Sequence, residues 1–286
     1  MRALTAKKAK TAIAVLGYLW SQLYGVSAAT QCKLVTKLEN NLKETKCQVG
    51  VKMLTIENES RKFSKKLKKQ KFVDGDLIKI NGASISGDSI FIPSDATFKL
   101  LVRKQISPIA KAASGTKKVL ALYIVASDVS TAGVMRGVAN SLEDDIFGTY
   151  GDTYNLRSQY DACSFGQLDM APAQLTTNTG VTVTGGVHEI KISAEIKKNK
   201  EETITNLALV EAEKELGDLE SQFDHVMVCV PLGTTDGGDN FWAYAYINSW
   251  LSVYGDKECH YMATIVRKSW SRRRFVSITS DLSTKL

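Results

Sequence analysis

The chain lacks every short motif that would mark an active site by itself. It has no GxSxG turn, which presents a serine nucleophile, and neither GxGxxG nor GxxxxGK followed by Ser or Thr, whose glycines let a loop wrap a phosphate group. It also has no CxxC pair, and a zinc ribbon therefore has no support. Because of these absences, no complete active site can be assembled from local motifs.

Histidine is scarce, with only 3 in the chain. His188-Glu189 begins like the zinc motif HExxH, which needs two histidines one helical turn apart to meet one metal. The second histidine position holds Ile192, and the segment alternates like a strand, so we predict no zinc site there. We expect His225 to make a structural hydrogen bond and His260 to be a surface or capping residue.

The loop DGGDN carries two carboxylates, Asp236 and Asp239, that could touch a cation. Glycine and aspartate are also ordinary loop residues. We therefore interpret this segment as a structural loop, and we predict no catalytic, cofactor-binding or metal-binding residue in the chain as it stands.

The first residues are typical of a secretory signal peptide. A positively charged start is followed by the uncharged apolar stretch TAIAVLGYLW and then by small residues that suit a peptidase. The apolar stretch is too short to span a bilayer, which takes about 20 residues. With no later candidate span, we expect residues 1–29 to be removed and the mature protein to be soluble and exported.

Cysteine usage agrees with an oxidising compartment, which permits disulfides. The chain has 5 cysteines, and an odd number leaves one unpaired. The residues are Cys32, Cys47, Cys163, Cys229 and Cys259. Their pairing cannot be deduced from spacing alone.

The positive charge is concentrated in one segment. The formal net charge is +7, and residues 61–71, RKFSKKLKKQK, hold seven basic residues and no acidic one. The rest of the chain is therefore balanced and predicts no extended basic face. Such a run can bind polyanions, but it is more often a solvated linker or a processing site.

The region before about residue 117 is predicted to be small and β-rich. Residues 30–71 are rich in lysine, whereas 72–105 alternate apolar and polar residues around Asp-Gly and Asn-Gly turns, which predicts antiparallel hairpins. Pro108 and the sequence AASGTKK make a breaker-rich boundary. Lys117-Lys118 is a candidate cleavage point.

The region after residue 118 has the pattern of an α/β domain, in which strands alternate with helices. Continuous apolar runs predict buried strands at 119–127 and 225–232. Period-four apolar residues predict helices, the clearest starting at Asn199 as N-cap with Glu202 completing a capping box. The further segments are a helix with Val134, Val138, Leu142 and Ile146 on one face, a helix at 154–165 with Leu156, Tyr160 and Cys163 aligned, strands at QLDMAPA and GVHEIKIS, and one long strand at 242–254.

Three segments together resemble a known family. They are the stretch from VLALYIVASDVS through IFGTYGD and SQYDACSFGQL to DMAPA, the segment FDHVMVCVPLG, and the segment FWAYAYINSWLSVYGDKECHYMATIV. Together they are similar to the catalytic domain of gametolysin-type metallopeptidases, the algal cell-wall lysins. The resemblance covers about 118–266. The region at 30–117 is similar to a propeptide in position and character.

The resemblance implies a zinc endopeptidase of the metzincin kind. In such enzymes a helix with HExxH binds zinc together with a third histidine, and the glutamate is the general base. In the family this helix follows the segment matched by Cys259 and Tyr261, which aligns Arg267, Lys268 and Ser271 with the motif. Cationic side chains cannot ligate zinc or accept a proton from water. The expected fold is thus α/β, an incomplete metzincin-like domain at 118–266, followed by a divergent basic tail at 267–286.

Two explanations for the missing motif are open: a shifted reading frame or wrong splice after about Val266, or a truncated pseudoenzyme. Either way, we expect an exported metallopeptidase homologue of the extracellular space or cell wall that is inactive as it stands. Zinc is expected only in complete family members. The resemblance implies an extracellular or cell-wall protein substrate, and we expect no nucleic acid partner.

The alternative is a non-catalytic secreted protein that binds wall polymers or polyanions through residues 61–71. We also expect the truncation to leave apolar faces of 119–126 and 225–232 partly uncovered.

Overall fold

The computed structural model describes residues 29–39, 42–58, 65, 69–104, 114–128, 138–236, 243–247, 249–255 and 258–259. The predicted signal peptide, apart from its last residue, and the tail after Val266 lie outside this part of the chain. Most of the basic run does too, although Lys65, Lys69 and Lys71 are described and exposed.

The described residues form a strand-rich α/β structure with one large mixed sheet. The strands are β1 (Thr30–Glu39), β2 (Leu42–Val49), β3 (Lys52–Asn58), β4 (Leu77–Asn81), β5 (Ser84–Ser86), β6 (Ser89–Ile92), β7 (Thr97–Val102), β8 (Gly115–Val125), β9 (Leu168–Pro172), β10 (Leu175–Thr176), β11 (Thr182–Val183), β12 (Val187–Lys191), β13 (His225–Val230), β14 (Ala243–Ile247) and β15 (Leu251–Gly255). The helices are α1 (Val138–Phe147), α2 (Leu156–Cys163), α3 (Glu201–Leu216) and α4 (Leu219–Gln222), with a 3-10 turn at Ile196–Lys198.

We call residues 115–255 the α/β unit. Its strands run in the order β12-β8-β13-β15-β14, of which the first four are parallel and β14 is antiparallel. Helix α3 covers one face of this sheet, and α1 and α2 cover the other. Because parallel strands need cover on both faces, their sequences are continuously apolar, as predicted for β8 and β13.

The expectation of uncovered faces at 119–126 and 225–232 is wrong. All six residues of β13 are buried, and so are Val119 to Ile124 of β8. The helices α1, α2 and α3 all precede Val266 in the chain, and they already supply the cover that we had assigned to a later helix.

The helices agree with the periodic patterns, with local differences. Leu142 and Ile146 of α1 are buried, as predicted, but Cys163 at the end of α2 is exposed. Helix α3 has no capping box, because Lys200 is its N-cap and makes no side-chain bond to it. On the inner face of α3, Leu209 is fully buried.

The aromatic segment at 242–254 is two strands instead of one long strand. β14 and β15 pair antiparallel, with Tyr244 opposite Val253, and the chain turns between Ile247 and Leu251. Asn248 and Ser249, which lie between the two strands in the sequence, are residue types common in turns, a signal that the dense apolar pattern concealed. The reversal makes β14 the last strand of the α/β unit.

We call residues 30–102 the N-terminal β unit. It contains the predicted hairpins, since β4 pairs with β7 and β5 with β6, both antiparallel. It also contains β1, β2 and β3, which the lysine-rich sequence at 30–71 had not predicted. Its apolar cluster surrounds a disulfide between Cys32 and Cys47. Strand β1 pairs with β14, and the two units therefore share one continuous sheet.

Candidate functional site

The carboxyl ends of the parallel strands are where open α/β sheets bind ligands. A disulfide joins Cys229, near the end of β13, to Cys259, four residues after β15, with their Cα atoms 5.9 Å apart. Cys259 is fully buried. This bond fixes the point at which the chain leaves the sheet toward residues 260–271, at the carboxyl edge. Cys163 remains free, so the prediction of one unpaired cysteine is confirmed.

The carboxylates at this edge hold backbone groups. Asp128, after β8, accepts hydrogen bonds from the N–H groups of Ile196 at 2.7 Å and Lys197 at 3.2 Å. Asp236, after β13, accepts the N–H of Glu201 at 2.8 Å and so supports the first turn of α3. Asp236 thus has the structural role that the loop interpretation predicted, whereas Asp239 lies outside the described residues.

The histidines lie apart from one another. His188 Nε2 is 2.9 Å from Glu215 Oε2 on α3, and His225 Nε2 is 2.7 Å from Ser252 Oγ inside the sheet. Burial lowers the pKa of His225 to about 4, so the ring is neutral at physiological pH. The prediction of a structural hydrogen bond for His225 is confirmed, and His260 lies outside the described residues.

The residues present do not fit a zinc ion. In the part of the chain that the structure describes, no group of three His, Cys, Asp or Glu residues could hold a metal. The positions aligned with the zinc motif, Arg267, Lys268 and Ser271, lie outside the described residues, and two of them carry positive charge. We therefore derive no reaction step through zinc.

A buried ionic cluster lies where the two units meet, at the first turn of α3. Glu202 forms ion pairs with Lys37 of β1 at 3.1 Å and with Lys46 of β2 at 2.7 Å, and it accepts a hydrogen bond from Thr55 Oγ1 at 2.9 Å. Burial alone would raise the pKa of Glu202, but the two lysines outweigh it and hold that pKa below its usual value. The Lys46 side chain is almost completely enclosed.

Glu201, the residue before Glu202 in α3, accepts hydrogen bonds from neutral donors. Its carboxylate accepts hydrogen bonds from Tyr244 Oη on β14 at 2.6 Å and from Thr205 Oγ1 at 2.9 Å. The Lys37 ammonium lies 3.9 Å from the centre of the Tyr244 ring, a cation–π contact. Burial raises the pKa of Glu201 to about 7, although Lys37, Tyr244 and Thr205 each oppose the shift.

Two further contacts fasten the N-terminal β unit to the α/β unit. Asn206 of α3 accepts the N–H of Met53 at 2.9 Å and donates to the Met53 carbonyl at 3.1 Å, as a neighbouring strand would. Glu220 of α4 accepts a hydrogen bond from Gln48 at 2.8 Å and pairs with Lys33. The joint therefore combines strand pairing, a backbone-like amide contact, ionic contacts and apolar packing of Val35, Val51 and Met53 in the same cluster as α3.

Sequence reasoning missed this joint. The sequence at 30–71 predicts only a lysine-rich region, yet Lys37 is 7% exposed and Lys46 is 2% exposed. The available signal was the alternation of apolar residues with lysine in KLVTKLE, together with the paired carboxylates Glu201 and Glu202 at the start of the clearest helix.

The candidate cleavage point, Lys117-Lys118, lies inside a paired strand. Lys117 and Lys118 lie within β8 and pair with Met170 and Ala171 of β9. A backbone held in a sheet does not fit a protease cleft. The segment that joins the two units is instead the connection between Val102 and Gly115.

Comparisons with known proteins show no family for this chain. No family model matches it, and no curated protein matches it. A crystal structure of the Ifi202 HINa domain in complex with 20-bp double-stranded DNA is similar over 29% of this chain and 45% of that chain, at 15% identity and a TM-score of 0.21. A likeness at that score supports no conclusion about fold or function.

Among the described residues, no helix is both long enough and apolar enough to cross a membrane.

Proposed function

We propose that this chain is an exported homologue of the gametolysin-type metallopeptidases that does not hydrolyse peptides, because it lacks the zinc ligands. The observation that supports this most directly is the Cys229–Cys259 disulfide at the carboxyl edge of the sheet. This bond ties the end of β13, at the edge where open α/β sheets bind ligands, to Cys259, which lies just before the positions that the resemblance aligns with HExxH. At those positions the residues are Arg267, Lys268 and Ser271.

Two features of the fold support the same proposal without testing it. The α/β unit has a largely parallel sheet covered by helices on both faces, which suits a catalytic scaffold. A separate β unit precedes it and docks on it, in the position where the resemblance implies a propeptide.

The experiment measures zinc binding and peptide cleavage by the purified full chain. We expect the chain to retain no zinc after dialysis, because a zinc site of this kind needs at least three protein ligands. We also expect casein to be cleaved no faster with the chain than in buffer, whether or not a chelator is present. Cleavage that co-elutes with the chain and is abolished by the chelator would contradict the proposal.

A further inference from the structure

The backbone contact between the two units is short. Strand β1 pairs antiparallel with β14 at three positions: Thr36 with Ile247, Lys37 with Tyr246 and Leu38 with Ala245. On its other side β14 pairs with β15, so without β1 it would be the edge strand of the α/β unit. A ladder of this length leaves much of the attachment to side chains.

The side chains of the joint have an excess of negative charge around Glu201. Lys37 pairs with Glu39 and Glu202, and Lys46 pairs with Glu44 and Glu202. Lys37 and Glu202 are the charged groups that act on the pKa of Glu201, and Tyr244 and Thr205 donate to its carboxylate. Farther out lie Glu39 of β1, Glu44 and Lys46 of β2 and Tyr246 of β14, while Asp236 accepts the N–H of Glu201.

Glu201 itself takes part in none of the ion pairs between described residues. It is 4% exposed, and its hydrogen bonds come from the neutral hydroxyls of Tyr244 and Thr205. A buried carboxylate without its own cation is costly in the ionised form. A proton on this carboxyl removes one negative charge from a site where acids outnumber lysines.

We propose that the N-terminal β unit is a detachable part of this protein, held by a latch that is tighter when the Glu201 carboxyl carries a proton. Once the connection between Val102 and Gly115 is cut, the two units stay together at mildly acidic pH and separate more readily at mildly alkaline pH. This proposal does not rest on peptidase ancestry, and it uses neither zinc nor peptide cleavage as a readout.

The direction follows from proton linkage. In the joined state the pKa of Glu201 is about 7, because burial raises it more than Lys37 and the two hydroxyls lower it. Separation removes Lys37 together with the cover of β1, and because burial is the larger of the two effects, that pKa falls toward its ordinary 4.5. The joined state therefore holds the proton more firmly than the separated state does. Its contribution to joining is complete below pH 4.5 and is lost as the pH rises through about 7.

The other shifted groups of the joint do not titrate in this window. The pKa of Glu202 lies below its usual value, so it acts only in stronger acid. Burial alone would lower the pKa of Lys37, but Glu202, Glu201 and Glu39 outweigh it and raise that pKa above 10.5. Burial raises the pKa values of Tyr244 and Tyr246 well above 10.

The test starts from the full chain with a site-specific protease sequence placed in residues 105–113. After cutting, the dissociation constant of the two units is measured by dilution and gel filtration at about pH 5.5 and about pH 8.5. We expect binding to be about tenfold weaker at the higher pH, because part of the pKa shift persists in the separated α/β unit.

Matched variants identify the responsible group. Glu201→Gln stays neutral at every pH, and we expect its dissociation constant to lose this pH dependence. The control is Glu211→Gln on the same helix, where Glu211 is exposed and pairs only with Lys214 among described ion pairs. We expect the control to keep the wild-type dependence.

A second variant covers the case in which Glu201→Gln does not fold. Tyr244→Phe removes a donor that lowers the pKa of Glu201, so the midpoint of the pH dependence should move upward. The proposal is overturned if the units never separate, if binding is constant or tightens toward alkaline pH, if Glu201→Gln behaves like the wild type, or if the Tyr244→Phe midpoint does not move.

Discussion

The α/β unit buries its central strands between two layers of helices, whereas the N-terminal β unit meets it across a joint that buries lysines and glutamates. In the first case the contacts are between apolar side chains such as Leu122, Val228 and Ile204. In the second case Lys37 and Lys46 pair with Glu202, while Val35, Val51 and Met53 of the N-terminal β unit belong to the same apolar cluster as α3.

This difference decides how each contact responds to its surroundings. Apolar burial has no direction and no proton to gain or lose, so it depends little on pH. A buried ion pair gives back in attraction roughly what it loses in hydration, so it contributes little net stability and becomes costly when one partner is missing. We therefore expect the α/β core to fix the stability of the chain and the joint to carry its sensitivity to conditions.

Removing part of the apolar core should have the largest effect. Leu122→Ala, at a fully buried position of β8, should lower the free energy of unfolding by about 3–4 kcal/mol, from lost transfer energy and the cavity left behind. Urea unfolding followed by circular dichroism measures it. Leu42→Ala is the control, because Leu42 is 75% exposed and its loss should change stability by less than about 0.5 kcal/mol. Equal effects of the two substitutions would refute the assigned core.

Breaking the joint should have a somewhat smaller effect. Lys46→Ala leaves Glu202 with a single lysine in a mostly buried site, and we expect a loss of about 2–3 kcal/mol in unfolding free energy. Lys214→Ala removes an exposed pair with Glu211 and should cost less than about 0.5 kcal/mol. If the two lysine variants were equally stable, the joint would not contribute as described.

A buried histidine sharpens the comparison, because its pH response is opposite to that of Glu201. The pKa of His225 is about 4 when folded, below its ordinary 6.5, so the unfolded chain binds the proton first as the pH falls. Its contribution is complete above pH 6.5 and is lost toward pH 4. Acid should therefore weaken the α/β core while it tightens the joint.

The measurement is the unfolding free energy of the wild type and of His225→Gln, compared at about pH 8 and about pH 5. The wild type should lose about 2 kcal/mol more than the variant between these values. An identical loss in both proteins would show that His225 is not the neutral buried group described here.

The parts of the fold that could be predicted from sequence are those in which one segment carries its own pattern. The runs that became β8 and β13 are apolar throughout because both of their faces are covered. The helix α3 shows its period over sixteen residues and ends at Gly217, whose φ of 86° suits glycine.

The parts that could not be predicted depend on a partner distant in the chain. From sequence alone β1 could be described only as lysine-rich, because Glu202, which pairs with Lys37, lies 165 residues away on α3. At the N-terminus of α3, the N–H of Glu201 is bound by Asp236, and the capping box predicted from Asn199 does not form. Asp236 lies in the loop after β13, and only the folded sheet brings this loop close to α3. For the candidate site, the cysteines were visible in sequence, but their pairing was not.

The sequence by itself determined the α/β class of residues 115–255, the helices whose apolar face repeats with the helical period, and the resemblance from which the proposed function starts. Only the tertiary structure decided that two lysines of the N-terminal β unit and two glutamates of α3 form one buried cluster, and that Glu201 forms no ion pair with another described residue. The reason is physical: hydrophobic periodicity is a property of one segment, whereas the protonation of a buried carboxyl depends on every element packed around it.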